Sequence, residues 1–367
     1  MAGVAGIGGA ALRNPGSRLF TPKPEPCRIK AIRPAAHCDS STPPFMLKIW
    51  CNTQFSGKAL TLLMEGVSPH HLVFAPQLSA SNLAPAEADP ELLTAHIAFG
   101  QPDPACILQS ERLRWIQLTS AGYTRYDTAE FRAAVDEEGM IVTNSSQVYA
   151  GPGAEHVLAF MLAHGRRLPQ ALDIQRADRT WPTLPFRAQG RLLKGQNVVV
   201  LGFGAIGRRL VELLAPFKAN ITALRRHTRG HESVETIPEE QLEAALAKAD
   251  HVVNLLPETA VTRGFMSANR FASMKPGAAF YNIGRGTTID QEALLKALNS
   301  RTISGAYLDV TDPEPLPAEH PLWSAPNCLI TPHMAGGYDA EPEALVEHFI
   351  DNLNQYITDS PMKDRVM

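Results

Sequence analysis

The stretch Val198–Gly207, VVVLGFGAIG, constrains the fold of this chain more than any other. Val198 to Leu201 are four consecutive apolar residues, which read as a buried parallel strand. They run directly into Gly202, Gly204 and Gly207, and a helical pattern opens at Arg208. Strand, glycine turn and helix in that order form the context of a dinucleotide-binding fingerprint, GxGxxG. Gly202 permits the tight turn, Gly204 lets the backbone approach a pyrophosphate, and Gly207 lets helix and strand pack closely. Phe203, Ala205 and Ile206 complete the loop, and the helix N-terminus offers unpaired N–H groups to the phosphates. Glycines at this spacing also arise by chance as a structural turn; the flanking strand and helix select the binding reading.

The residues beyond the fingerprint bear on which dinucleotide it takes. Ile221–Leu224 reads as the second strand of the unit. An NAD site usually ends that strand with Asp or Glu, roughly 20 residues past the glycines, to hold the ribose 2′-OH. Here Arg225, Arg226, His227 and Arg229 stand there, with no acid until Glu232. A carboxylate would repel a 2′-phosphate, whereas guanidinium groups bind one with paired hydrogen bonds. The cluster favours NADP (as NADPH) and leaves NAD open.

At 367 residues the chain is long enough for two domains. A net charge of −3 gives no reason to expect nucleic acid or an acidic membrane as partner. Five cysteines, at 27, 38, 51, 106 and 328, form no CxxC. Their scatter fits reduced thiols in a cytoplasmic compartment better than a disulfide framework. No His/Cys cluster has metal-ligand spacing, and no apolar run approaches a membrane span.

Residues 1–45 are rich in Gly, Ala, Pro, Ser and Arg and have no acid before Glu25. They read first as a disordered or spurious extension ahead of Met46, and second as an organellar transit peptide. From Met46, strand candidates at Leu47–Cys51, His71–Ala75, His96–Phe99, Trp115–Leu118 and Met140–Thr143 alternate with helix candidates at Lys58–Met64 and Pro104–Leu113. A long apolar helix begins near Gly153, with Val157, Leu158, Met161 and Leu162 on one face and Phe160 towards its flank. A connecting stretch, 176–190, carries Trp181. Strands at His251–Leu256, Ala278–Ile283, Ile303–Asp309 and Cys328–Thr331 extend the dinucleotide unit. Pro342–Thr358 reads as an amphipathic helix that packs back on the first domain. The expected architecture is α/β, with two Rossmann-like doubly wound domains. The smaller, substrate domain is discontinuous, 46–146 plus 335–367, and the dinucleotide domain spans 147–334.

Three polar residues follow the carboxyl ends of predicted parallel strands: Arg285 in NIGRG, Glu314 in DVTDPEP and His333 in TPHMAGG. In open α/β sheets ligands bind at that edge. Singly, each reads as an ordinary loop residue. Jointly they suit reduction of a 2-keto acid. Arg binds the carboxylate and polarises the keto oxygen, and His donates a proton to that oxygen. A carboxylate on the other ring nitrogen fixes the tautomer.

These segments resemble the D-isomer-specific 2-hydroxyacid dehydrogenases, in particular the glyoxylate/hydroxypyruvate reductase branch. The carriers are LGFGAIG, NLLPET at 254–259, KPGAAFYNIGRGTTIDQEAL, GAYLDVTDPEPLP and PNCLITPHMAGG, and the resemblance covers 46–358. It implies that Arg285 binds substrate, that Glu314 partners His333, and that His333 is the acid/base. It further implies that Leu256, Pro257, Ile283, Gly284, Asp309 and His333 line the dinucleotide. Substrate carboxylate is held in such proteins by backbone N–H groups of a small-domain loop, and the resemblance implies that Phe99, Gly100 and Gln101 form it here. The resemblance also implies a homodimer through 153–167, with Trp181 a candidate to reach the partner's site. Alternatives of the same fold are a phosphite-type dehydrogenase and a dinucleotide-sensing, corepressor-like interaction protein. A formate dehydrogenase fits less well, since those pair Gln rather than Glu with the His.

Overall fold

Two parallel sheets organise residues 46–81, 87–225 and 233–367, the residues described in this computed structural model. The expectations for 1–45, and for Arg226, His227, Arg229 and Glu232, lie outside the described residues. The first sheet contains β1 (Lys48–Thr53), β2 (His71–Ser79), β3 (Ile97–Gly100), β4 (Trp115–Leu118) and β5 (Ile141–Thr143), in the order β2-β1-β3-β4-β5. Every residue of β3 and β4 is buried, as expected of strands covered on both faces, and the one polar side chain among them, Gln117, is satisfied by Asn144 O and Ser145 Oγ. The strands are linked through α1 (Gly57–Gly66), α2 (Pro104–Ile107) and α3 (Ala129–Glu138).

Two of these helices depart from expectation. The helix expected over Pro104–Leu113 stops at Ile107. Asp103 caps its start by accepting from Cys106 N–H, but Ser110 Oγ then accepts from Leu113 N–H and turns the chain so that Leu113 is buried at the entry to β4. Helix α3 was not expected. It buries only Phe131 and Val135, too short an apolar stripe to mark a helix. Its end signals are plain: Thr128 Oγ1 accepts from Phe131 N–H, and Gly139 ends it at φ +61°.

The chain crosses to the second sheet through α4 (Ala150–Gly165), followed by α5 (Leu168–Arg176) and α6 (Thr183–Gln189). Helix α4 starts three residues before the expected Gly153, and Phe160, expected at its flank, is buried. The second sheet contains β6 (Asn197–Leu201), β7 (Asn220–Leu224), β8 (Glu235–Ile237), β9 (His251–Asn254), β10 (Ala279–Asn282), β11 (Gly305–Leu308) and β12 (Cys328–Ile330), in the order β12-β11-β10-β9-β6-β7-β8. Between them run α7 (Ala205–Leu214), α8 (Leu242–Leu246), α9 (Ala268–Ser273) and α10 (Gln291–Asn299). Strand order reverses between β6 and β9, and in the first sheet between β1 and β3. Crevices at such switch points, on the carboxyl edge, are where open α/β sheets bind ligands.

Helix α11 (Glu341–Ile357) returns the chain to the first sheet, as its amphipathic pattern predicts. Leu345, Val346, Phe349 and Leu353 are buried against Ile49, Leu63 and Trp115. Phe349 stacks on Phe99 at 4.1 Å between centroids and on Trp115 at 5.3 Å. The lobe therefore closes only when the end of the chain joins its beginning.

On one face of the second sheet, buried His251 and half-buried His164 lie against two buried tyrosines. His251 Nδ1 lies 2.8 Å from Tyr281 Oη, and His164 Nδ1 lies 3.1 Å from Tyr307 Oη. The two phenol rings stack at 5.2 Å. Burial, aided by the charges of Arg167 and Arg191, pushes His164 down to about 4. Burial, then the charge of His164, pushes His251 down to about 3. The unfolded chain therefore takes up these protons first. The stability the neutral rings confer is complete above about pH 6.5, the unfolded value, and is lost as pH falls through that value towards the folded ones. For His164 the loss is on the order of 3 kcal/mol. Urea midpoints measured at about pH 7 and pH 4.5 should fall less in His164→Gln, which cannot charge, than in the wild type; equal falls would contradict this account.

Candidate active site

Four adjacent strands of the second sheet, β10, β9, β6 and β7, bring the expected dinucleotide residues to one edge. After β6, Gly202 adopts φ +95°, and a Cβ there would lie 3.1 Å from the Leu255 carbonyl oxygen. A Cβ on Gly207 would lie 2.8 Å from the Gly202 carbonyl oxygen, so helix α7 seats against the turn only with glycine present. Gly204 differs: nothing lies within 4 Å of its Cβ position, and it stands at the N-terminus of the ten-residue helix α7. A bare backbone facing open space at a helix N-terminus, continued by Ala205 and Ile206, fits a phosphate. Leu256 and Pro257 follow β9. Ile283 and Gly284 follow β10, where a Cβ on Gly284 would lie 2.7 Å from the Leu256 carbonyl oxygen. Arg225 directly follows β7, its N–H donating to Ile237 O at 3.1 Å.

Arg285, Glu314 and His333 follow the carboxyl ends of β10, β11 and β12. The Arg285 carbonyl accepts from Asn282 Nδ2 at 3.1 Å and Thr288 Oγ1 at 2.6 Å. Buried Asn254 donates to Asn282 Oδ1 and Thr288 Oγ1, bracing both. Gly286 touches the next loop so closely that a Cβ would fall 1.9 Å from Thr311 O. That loop carries Glu314, whose Oε1 accepts from Thr311 N–H at 3.0 Å and whose Oε2 lies 2.8 Å from His333 Nδ1. Burial works to raise the Glu314 carboxyl. The hydrogen bonds from His333 and Thr311 N–H, and the charges of His333 and Arg285, outweigh it and hold the group below its ordinary range. An ionised carboxylate only accepts, so Nδ1 of His333 carries a proton and Nε2 is left to face the cleft. Burial lowers the Arg285 pKa while Glu314 and Glu258 raise it; a guanidinium stays charged at neutral pH regardless.

His333 itself sits at φ +49°, a conformation costing roughly 1–2 kcal/mol for a residue with a Cβ. Asp309 holds it there. The Asp309 carbonyl accepts from His333 N–H, Oδ1 accepts from Met334 N–H and Thr331 Oγ1, and Oδ2 accepts from Ala335 N–H, at 2.6–2.9 Å. Asp309 was expected to line the dinucleotide; the partners of its carboxylate are instead the turn that carries His333.

A sequence model of the D-isomer specific 2-hydroxyacid dehydrogenase NAD binding domain matches residues 158–335. Glyoxylate/hydroxypyruvate reductase B of Pectobacterium atrosepticum is 30% identical over 275 residues, covering 73% of this chain and 84% of that protein. The chain belongs to the D-isomer-specific 2-hydroxyacid dehydrogenase family. Among solved structures, a family protein from Aeromonas salmonicida superposes with a TM-score of 0.71 at 28% identity, covering 88% of this chain and 99% of that one. A D-isomer specific 2-hydroxyacid dehydrogenase from Xanthobacter autotrophicus Py2, solved with NADPH and MES, gives 0.71 at 27% identity, with 88% and 98% covered.

In this dehydrogenase the loop across the cleft from Arg285 is not the expected 99–101. Phe99 is fully buried in the aromatic stack of the first lobe. The Gln101 N–H donates to Asn52 Oδ1 at 2.8 Å, and Asn52 Nδ2 donates to Gln101 O at 2.9 Å. A Cβ on Gly100, at φ +136°, would strike Asn52 Oδ1. This segment is a backing layer: Gln101 Nε2 donates to Ser120 Oγ, which donates to Gly122 O. The loop after β4 carries the contact. A Cβ on Gly122 would lie 1.8 Å from Arg285 Nη2, so the guanidinium rests on that glycine's bare backbone. Sequence reasoning missed Gly122, although the strand-end rule that found Arg285 applies equally to the small-residue run TSAG after β4. Gly122→Ala should displace the guanidinium and raise KM for a keto acid roughly tenfold or more, with NADPH affinity unchanged by fluorescence titration. An unaltered KM would show that this contact does not position Arg285.

Proposed function

We propose that the chain is an NADPH-dependent reductase of small 2-keto acids, glyoxylate or hydroxypyruvate in class, yielding D-2-hydroxy acids. The observation that carries the reading is the 2.8 Å contact of His333 with Glu314 on the edge shared with Arg285. The dinucleotide would lie along Gly202–Gly207 with its 2′-phosphate towards Arg225, and would supply the hydride to the keto carbon. Arg285 binds the substrate carboxylate and withdraws charge from the keto oxygen. No hydrogen bond from the Ala121 or Gly122 N–H is present among the described residues, and with Gly122 against Arg285 these two groups would hold the same carboxylate. His333 delivers a proton from Nε2 to the keto oxygen, which becomes the product hydroxyl. Glu314 remains ionised and stabilises the imidazolium beforehand, so the proton is ready when the oxygen gains charge.

NADPH is the preferred cofactor because Arg225 stands where a carboxylate would favour NADH, and NADH is the weaker alternative. The NADPH complex of the Xanthobacter autotrophicus protein supports the preference. A homodimer through α4 and the arm after it accounts for the apolar side chains that arm presents to solvent, among them Leu168, Leu184 and Trp181, the last 91% exposed. Among the described residues no helix is long and apolar enough to cross a membrane, and a cytoplasmic setting suits such a reductase.

His333→Ala should lower kcat with NADPH and hydroxypyruvate by at least about 10²-fold, the usual contribution of a positioned acid. Near-normal turnover would remove His333 from the role. Arg225→Ala should raise KM for NADPH far more than for NADH. Equal effects on both would mean that Arg225 does not read the 2′-phosphate.

A further inference from the structure

His156 lies on α4, outside every group the proposed reaction uses, yet it touches the turn that carries His333. Its Nε2 is 3.2 Å from Thr331 Oγ1 and 3.8 Å from Asp309 Oδ1. The direction of this contact follows from proton counting. A threonine hydroxyl has one proton, and that of Thr331 is given to Asp309 Oδ1 at 2.6 Å. Thr331 Oγ1 is therefore left as an acceptor, and His156 must be the donor through Nε2–H. Burial lowers the His156 pKa against the opposing charge of Asp309, which keeps the ring neutral at neutral pH. With its proton committed to Nε2, the neutral ring can donate nowhere else. The ring is held from the side by Phe160, one helical turn on, whose ring meets it edge-on at 4.4 Å.

We propose that His156 is a positioning residue for His333, acting through Thr331 and Asp309. The chain of contacts is continuous: His156 donates to Thr331, Thr331 donates to Asp309, and Asp309 gathers the N–H groups of His333, Met334 and Ala335. Three consecutive N–H groups converging on one residue force the turn in which His333 takes its positive φ. A left-handed residue persists only when its surroundings over-determine it. His156 supplies that surplus from a rigid helix rather than from the turn itself. Without the His156 donor, the Thr331 hydroxyl has a second acceptor direction unfilled and is free to rotate away from Asp309. The turn then loses one of its anchors, and the His333 imidazole drifts relative to Glu314 and Arg285.

The inference rests on the reading of His333 as proton donor, and the test separates the two. His156→Leu removes the donor at similar bulk, and His156→Gln restores an N–H at the position of Nε2. Thr331→Val removes the hydroxyl link while leaving His156 in place. With NADPH and hydroxypyruvate, His156→Leu and Thr331→Val should each lower kcat by roughly 10- to 100-fold, with KM for NADPH unchanged. His156→Gln should recover most of the loss. In a His333→Ala background His156→Leu should add nothing further to the loss, because it acts through a side chain no longer present. A His156→Leu enzyme with wild-type kcat, a Gln variant as impaired as Leu, or a full additional loss on top of His333→Ala would each overturn the proposal. Normal turnover by His333→Ala alone would instead overturn the reading on which it stands.

Discussion

The hydrogen bond between Glu314 and His333 joins two loops that belong to different strands and ties each side chain to the other loop. Glu314 depends on Thr311 N–H for its second oxygen, and the Thr311 carbonyl in turn presses on Gly286 in the Arg285 loop. His333 depends on Asp309, which lies at the end of β11 rather than on its own strand. The three side chains are thus cross-braced, each loop fixing the next. Parallel strands in register make this feasible, because β10, β11 and β12 end together and their loops leave the sheet on the same side.

The arrangement concentrates costs that a core does not otherwise tolerate. A guanidinium and two carboxylates sit at or below the surface, and a histidine adopts a left-handed backbone. Hydrogen bonds offset these costs, and the Glu314 side chain, 35% exposed, also keeps contact with solvent. Asp309 is only 2% exposed, and both its oxygens accept from donors within 2.9 Å. Charged groups that are paired and hydrogen-bonded avoid the full desolvation penalty, and removing one partner exposes it. The same logic explains the glycines that face these loops. At Gly122, Gly284 and Gly286 a Cβ would fall inside the contact distance of a guanidinium or a carbonyl oxygen, so the site's compactness is written into side chains that are absent.

Much of this was legible in the sequence, and the reasons are local. The fingerprint after β6 and the three polar residues after β10, β11 and β12 announce themselves because a buried apolar strand is followed at once by Gly, Pro or charge. The return of α11 to the first lobe followed from its amphipathic spacing. What could not be read depends on contacts remote in the chain. Gln101 seemed available as a backbone donor until Asn52, 49 positions earlier, was seen to occupy it. Gly122 gained its meaning only opposite Arg285, and Asp309 only opposite the turn at 333–335. Short elements were also illegible: β8 buries only Ile237 fully, and α2 ends after one turn because Leu113 must reach the core. Periodicity needs more residues than these supply.

On the proposed function, one edge of the second sheet holds keto acid and dinucleotide so that hydride reaches a single face of the keto carbon while His333 protonates the oxygen. The most direct measurement is isotope transfer. NADPH carrying deuterium at the reactive C4 position is supplied with hydroxypyruvate, and the product is separated by chirality and weighed by mass spectrometry. The account predicts D-glycerate with one deuterium at C2. Unlabelled product, or a mixture of both enantiomers, would contradict it.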